Sequence, residues 1–465
     1  MQKLFPFIQL NHSRIKQLLA QLNHSRIKQL LALFFLLGLA LFLRLYHLDI
    51  PENPCFDEVY HLPAVRLIQE NDPRAYEWWH QPVYGVYHFD WLHPPLVKLV
   101  QAVSVEFLGW HSWVWRLPSA LAGTMLVGAV YWLTRLLFQH AFSLRKNSIE
   151  ISHNLALFAS FLTAIEGLSL VSSRVAMNDV FVSLFILLSL GSFFKSWLYA
   201  QQDQTIKQLL LLLVSGLFLG LGVASKWSAF LVMFGLTIYQ LIIIFRKKHF
   251  KIIPFAIFSL ILIPVAIYCL SYTQMFMQGK SISYFFKLQQ QIINYQFLRD
   301  ASHAYASQPW QWFFNLRPVW YWHRSFFNSD LVANIYTLSN PILMLLTLPA
   351  LVVVSNYLRC NLKNNLKKQE VQVLAFLLFS YFIAWLPWIF SPRIMFYHHY
   401  LPAIPILMII ITYFFRWLKN KSYLSFVLMT LLVVVGFFMF YPHWVGLPVS
   451  KTWVEAVYFS LETWR

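Results

Sequence analysis

At 465 residues, 58% of them hydrophobic, 18% aromatic and only 12% charged, with a mean hydropathy of +0.55, the chain has the composition of a polytopic membrane protein. A net charge of +18 would suit nucleic acid. The basic residues, however, fall in short clusters between apolar stretches, which argues against a nucleic-acid surface and for membrane topology.

The chain opens with a duplication: residues 9 to 20, QLNHSRIKQLLA, recur at 21 to 32. One copy suffices as a topogenic charge, so the repeat reads as a slippage duplication in the cytoplasmic segment 1-32 rather than as a working surface helix. No small-residue cleavage site separates it from the apolar stretch that follows, so it is not a cleavable signal peptide.

A helix needs roughly 20 apolar residues to cross the hydrocarbon core. About eleven such stretches are expected, centred near 38, 127, 163, 188, 216, 237, 261, 346, 380, 407 and 431. Two long loops remain, 49 to 115 and 272 to 335. With the N-terminus (Lys3, Arg14, Lys16, Arg26, Lys28) inside, Arg145-Lys146, Arg246-Lys247-Lys248, Lys363 with Lys367-Lys368, and Arg416 with Lys419 and Lys421 all fall on the cytoplasmic side. Both long loops and the tail from Tyr441 then lie outside, and the scattered ionisable residues near span ends collect on that one face.

In the first outer loop, Phe56-Asp57-Glu58-Val59 precedes an apolar-periodic run. Asp57 reads in two ways: as the cap of a helix on the membrane, or as a general base at its edge. His93-Pro94-Pro95-Leu96-Val97-Lys98 follows. The prolines pre-set a helix start, but a helix start requires neither His93 nor Lys98. Cys55 and Cys269 face outside and Cys360 inside; their spacing does not establish a disulfide. No CxxC or HExxH signature appears, so no metal is expected.

FDEV followed by HPPLVK resembles the FDEVHF and HPPLGK motifs of the protein O-mannosyltransferases, membrane glycosyltransferases of the GT-C architecture. The resemblance continues in order through WRLPSALAG from Trp115, SRVAMND from Ser173, GLFLGLGVASKW from Gly216, HAYASQPWQW from His303, SNPILM from Ser339 and HHYLPAIP from His398. It implies an all-α GT-C catalytic membrane domain over 33-416, followed at 417-465 by a last span and outer tail. It also implies inverting transfer of mannose from a polyprenyl phosphate to protein Ser or Thr, without cofactor or metal. The expected partners are that donor, a protein acceptor and membrane lipids, at the outer face of a bacterial inner membrane.

Residue by residue, the resemblance makes Asp57 the catalytic carboxylate, with Glu58 orienting it or touching the acceptor. Arg116 matches the family's functional arginine, for the donor phosphate. Arg393, His398 and His399 form a second outer basic group, either for phosphate or headgroups or without such a role, and Lys226 is placed with them or serves as a span-end anchor. His93, Lys98, Asp179, His303 and Trp310 are assigned to substrate. Two departures stand out: Tyr60-His61-Leu62-Pro63 follows the DEV where the family has His-Phe-Gly, and the second outer loop is too short for a β-trefoil MIR domain. The rival readings are a GT-C transferase acting on a glycan or lipid A, and a secondary transporter. Nearly charge-free spans without repeated halves weigh against the transporter.

Overall fold

The computed structural model describes residues 24–79, 89–297, 302–362 and 368–465. The first copy of the duplication, with Lys3, Arg14 and Lys16, lies outside the described residues, as do Lys363 and Lys367. From His24 on, the second copy forms the first turns of helix α1, His24–Leu45.

Among the described residues, ten helices are long and apolar enough to cross a membrane. They are α1, then α4 (Ser112–Ala141), α7 (Asp179–Ala200), α8 (Thr205–Ser225), α9 (Ala229–Lys247), α10 (Phe250–Ser271), α12 (Pro341–Asn361), α13 (Gln369–Phe390), α14 (Tyr397–Lys421) and α15 (Tyr423–Val445). The expected span centred near 163 is not among them. That stretch is α5, Ser148–Ala164, only 17 residues long, which continues past Glu166 into the short α6, Gly167–Ser172. Between α1 and α4 lie α2 (Glu58–Gln69) and α3 (Leu96–Leu108), and after α10 comes the amphipathic α11 (Ile282–Gln296).

Burial separates core from rim. The apolar window of α14 is 83% buried, so it runs through the middle of the bundle, whereas those of α1 and α15 are 22% buried and present apolar sides outward. Close helix approach has a visible cause at Gly216 of α8. A Cβ there would sit 1.7 Å from the carbonyl oxygen of Ser259, within the π-helical turn Phe258–Leu262 of α10.

Polar contacts mark two ends of the bundle. At one, Ser143 donates to Gln369 (2.6 Å), the Tyr357 and Tyr413 hydroxyls donate to Glu370 (2.8 and 3.1 Å), and Arg416 lies over the Phe142 ring. At the other, the Arg174 guanidinium donates to the carbonyls of Arg44, Tyr46 and His47 (2.9, 2.7 and 2.9 Å), closing the C-terminus of α1. That end carries α2, α3 and the second long loop.

The all-α expectation holds for the membrane body but not for the second outer loop. Val319–Ser325 (β1), Leu331–Thr337 (β2) and Val449–Ser450 (β3) form an antiparallel sheet in the order β1-β2-β3. The aromatic run Trp320-Tyr321-Trp322 is therefore strand, and the C-terminal tail returns to pair with that loop.

Candidate active site

A cavity of about 640 Å³ opens among the loops at the sheet-bearing end. The start of α2, the loop before α3, the starts of α7 and α9, the end of α11 and the connection from α13 to α14 all contribute to its wall. Of the residues expected at the site, Asp57, His93, Asp179, Lys226, His303, Arg393, His398 and His399 line it. Glu58, Lys98, Arg116 and Trp310 do not.

Asp57 stands at the position that would cap α2, yet its side chain makes no capping hydrogen bond. The cap reading therefore loses its observation, and the carboxylate is left facing the cavity. Burial pushes it up to about 7; the Lys226 cation opposes the rise, Asp179 and Asp90 add to it, and Arg393 opposes it. A carboxylate tuned near neutrality suits a general base. Its neighbour Phe56 has φ +50°, a conformation uncommon for a bulky side chain, of the kind that costs about 1–3 kcal/mol and clusters at functional sites.

Asp179, the first residue of α7, accepts from Lys226 Nζ at 2.7 Å through Oδ1, while its buried Oδ2 has no partner among the described residues. The Asn178 Oδ1 and His398 Nδ1 are likewise buried and unpartnered at the cavity wall. Such atoms are costly unless something else satisfies them, and a polyhydroxylated ligand is a chemical match. Arg393 is held by Gln296 (Nη1 to Oε1, 2.9 Å) above the Tyr295 ring, and no carboxylate among the described residues pairs with it. His398 and His399 stack at 4.6 Å, and Trp78, Trp91, Trp227 and Trp388 complete an aromatic wall of the kind that receives sugar faces.

Arg116 departs from the sequence reading as a phosphate ligand, and Glu58 from the alternative in which it touches the acceptor; neither lines the cavity. Both are fully buried and bind one another: Nε to Oε1 at 2.9 Å and Nη2 to Oε2 at 2.7 Å. Glu58 also accepts the backbone N–H of Cys55 and Ala176, and Arg116 donates to the Pro51 carbonyl. Burial alone would raise Glu58, but Arg116 and these donors hold it below the usual range. Neither has a group left to offer a phosphate; together they tie α2 to α4 and to the loop before α7. Lys98 is likewise taken up by the carbonyls of Asp90 and His93 and by the Asp90 carboxylate. Trp310 is 56% exposed on the short helix Pro309–Phe313, and Trp312 is the residue that turns inward, donating to Ser307 at 2.8 Å.

Sequence reasoning missed Asp90. Its carboxylate bonds His93 Nδ1 through Oδ1 (2.8 Å) and His61 Nδ1 through Oδ2 (3.1 Å), and His61 Nε2 meets Gln101 at 2.6 Å. The cations and donors around Asp90 outweigh its burial and hold it well below the usual carboxylate range. Asp90 thereby fixes the His93 ring so that its other nitrogen is free for the cavity. The signal was present in Phe89-Asp90-Trp91, three residues ahead of His93-Pro94. His61, noted only as a departure from the family pattern, is a buried strut at the cavity wall, which the adjacent Tyr60 also lines. Cys55 and Cys269 are both free thiols.

Residues 34–278 match the dolichyl-phosphate-mannose-protein mannosyltransferase family, and residues 281–464 match the C-terminal four-transmembrane region of protein O-mannosyltransferases. The chain belongs to the protein O-mannosyltransferase family. Membership makes it an integral membrane glycosyltransferase. It is 24% identical to a polyprenol-phosphate-mannose–protein mannosyltransferase of Mycolicibacterium smegmatis, over 92% of this chain and 91% of that protein. It is also 24% identical to the protein of the same name from Corynebacterium glutamicum, over 64% of this chain and 66% of that one.

Among solved structures, the S. cerevisiae protein O-mannosyltransferase complex bound to its sugar donor shares the fold, with a TM-score of 0.75 at 14% identity, covering 96% of this chain and 94% of that one. Cupriavidus metallidurans ArnT bound to undecaprenyl phosphate is similar at a TM-score of 0.53 and 12% identity, covering 86% of this chain and 63% of that one. These likenesses place the bundle in the GT-C architecture.

Proposed function

We propose that the protein transfers mannose from a polyprenyl phosphate to Ser or Thr hydroxyls of proteins, with inversion, at the outer face of a bacterial inner membrane. The observation that carries this reading is Asp57: a carboxylate that makes no capping hydrogen bond to α2, raised to about 7, in a cavity it shares with Lys226 and with Arg393, which pairs with no carboxylate among the described residues.

In the proposed step Asp57 takes the proton of the acceptor hydroxyl as its oxygen attacks the anomeric carbon. The bond from that carbon to the phosphate oxygen breaks on the opposite face, and the polyprenyl phosphate leaves with the electron pair. One displacement inverts the centre. The leaving phosphate needs little protonation, but its charge must be held; Arg393 is available for this in a site partly shielded from water. No cofactor enters this scheme. The outer location rests on the described basic residues Arg246-Lys247 and Lys419 with Lys421, which lie in the last turns of α9 and α14, whereas the opposite ends of those helices adjoin the cavity. Transfer onto a glycan or lipid A, the alternative suggested by fold alone, has less support: the ArnT likeness is weaker and covers less of both chains.

The test is purified protein in liposomes with labelled polyprenyl-phosphate mannose, offered a Ser/Thr peptide and a lipid extract. Label on the peptide, with an anomeric configuration by NMR opposite to the donor's, supports the proposal. Label confined to lipid would replace the acceptor.

A further inference from the structure

Two backbone irregularities meet ring to ring beside the base. In β1, Trp320 pairs with Tyr336 and Trp322 with Ile335, so Tyr321 is the extra residue of a β-bulge. Bulges near active sites re-aim a side chain, and Tyr321 is turned inward, 5% exposed in a strand whose far end is solvent-facing. Its ring stacks on Phe56 at 4.0 Å and 10°. Phe56 is the residue with φ +50° that immediately precedes Asp57, and its ring also meets His398 in a T-shaped contact at 5.7 Å. An aromatic residue holds such a backbone conformation only where its surroundings over-determine it. Here the over-determination comes from a sheet more than 260 residues away in sequence.

We propose that Tyr321 is a positioning residue for transfer: its ring, aimed by the β1 bulge, holds Phe56 in the left-handed conformation that turns the Asp57 carboxylate into the cavity. This rests on Asp57 being the base. It gives the outer-loop sheet, and the tail that completes it through β3, a role in catalysis without contact to substrate. The ring is the part that meets Phe56, while the hydroxyl bonds Thr337; burial, with the Asp179 and Asp57 charges adding to it, pushes that hydroxyl well above the ordinary phenol range.

The experiment compares Tyr321→Phe, Tyr321→Leu and Phe56→Gly with wild type in the liposome assay, beside Asp57→Asn. Phe56→Gly accepts φ +50° without strain but has no ring to clamp. A loosened Asp57 is misplaced and better hydrated. Tyr321→Leu and Phe56→Gly should each lose roughly 10- to 100-fold in kcat with donor KM within about twofold, and the acid limb of the rate profile should move to lower pH. Tyr321→Phe should retain wild-type kcat and pH profile. If Tyr321→Leu does not fold, Phe56→Gly carries the comparison. Wild-type kcat and acid limb in folded Tyr321→Leu or Phe56→Gly would overturn the clamp, as would a Tyr321→Phe variant as damaged as Tyr321→Leu. An active Asp57→Asn would instead remove the base assignment beneath it.

Discussion

Arg116 grips Glu58 with two hydrogen bonds of 2.9 and 2.7 Å, and both side chains are completely buried. Glu58 is covalently next to the proposed base, so this pair anchors the segment that carries Asp57 while staying out of the cavity itself.

Removing one partner of a buried ion pair strands the other charge, at a cost of about 3–5 kcal/mol. Arg116→Ala should therefore lower the thermal midpoint and yield of the purified protein. The double variant Glu58→Gln/Arg116→Met should recover much of that loss. A phosphate ligand would behave in the opposite way, giving an unchanged midpoint with a raised donor KM.

Arg393 is the cavity guanidinium without a carboxylate partner among the described residues, so its charge is available to the donor. Arg393→Ala should lower kcat/KM for donor by about 100-fold without a change in thermal midpoint, and Arg393→Lys should restore part of it. An unaltered kcat/KM in Arg393→Ala would take the phosphate away from this residue.

The charges around Asp57 make opposed predictions for the pH profile. Lys226 pulls Asp57 down and Asp179 pushes it up. Lys226→Met should move the acid limb of kcat/KM to higher pH, by about one unit, and Asp179→Asn should move it lower. Shifts in the same direction, or none, would mean that the limb reports another group.

Stability gives an independent reading of the same group. A carboxylate raised from 3.8 to about 7 in the folded state binds its proton more tightly there than in the unfolded chain. Its contribution therefore favours the fold below about pH 4 and is lost as pH rises through about 7. Asp57→Asn should be at least as stable as wild type at pH 8 by thermal unfolding; a clearly lower midpoint would argue that the ionised carboxylate is held by contacts within the fold.

Much of the site was legible because hydropathy alone puts its parts on one face. Once the spans are marked, Asp57, Asp179, Lys226, Arg393 and His398 all fall near the outer ends of helices, and the cavity collects them. Roles that depend on pairing across the fold were not legible. Arg116 and Glu58 are both conspicuous charges beside a membrane, and only their contact, 58 residues apart in sequence, separates a brace from a ligand. Asp90 stands only three residues before His93, but half of its role, the bond to His61 on α2, is made across 29 residues and does not show in the local pattern. Trp320-Tyr321-Trp322 looks like an interfacial belt because a run of aromatics suits both a bilayer edge and a strand; pairing with Leu331–Thr337 decides between them.

The central claim is that Asp57 is the base for mannose transfer to protein. The most direct measurement is the initial rate from labelled polyprenyl-phosphate mannose to a Ser/Thr peptide, in wild type and Asp57→Asn, across pH 5 to 9. The account predicts a wild-type rate that falls about tenfold per pH unit below about 7 and an Asp57→Asn rate at least about 100-fold lower in a folded protein. An Asp57→Asn variant with near wild-type turnover and the same acid limb would contradict it.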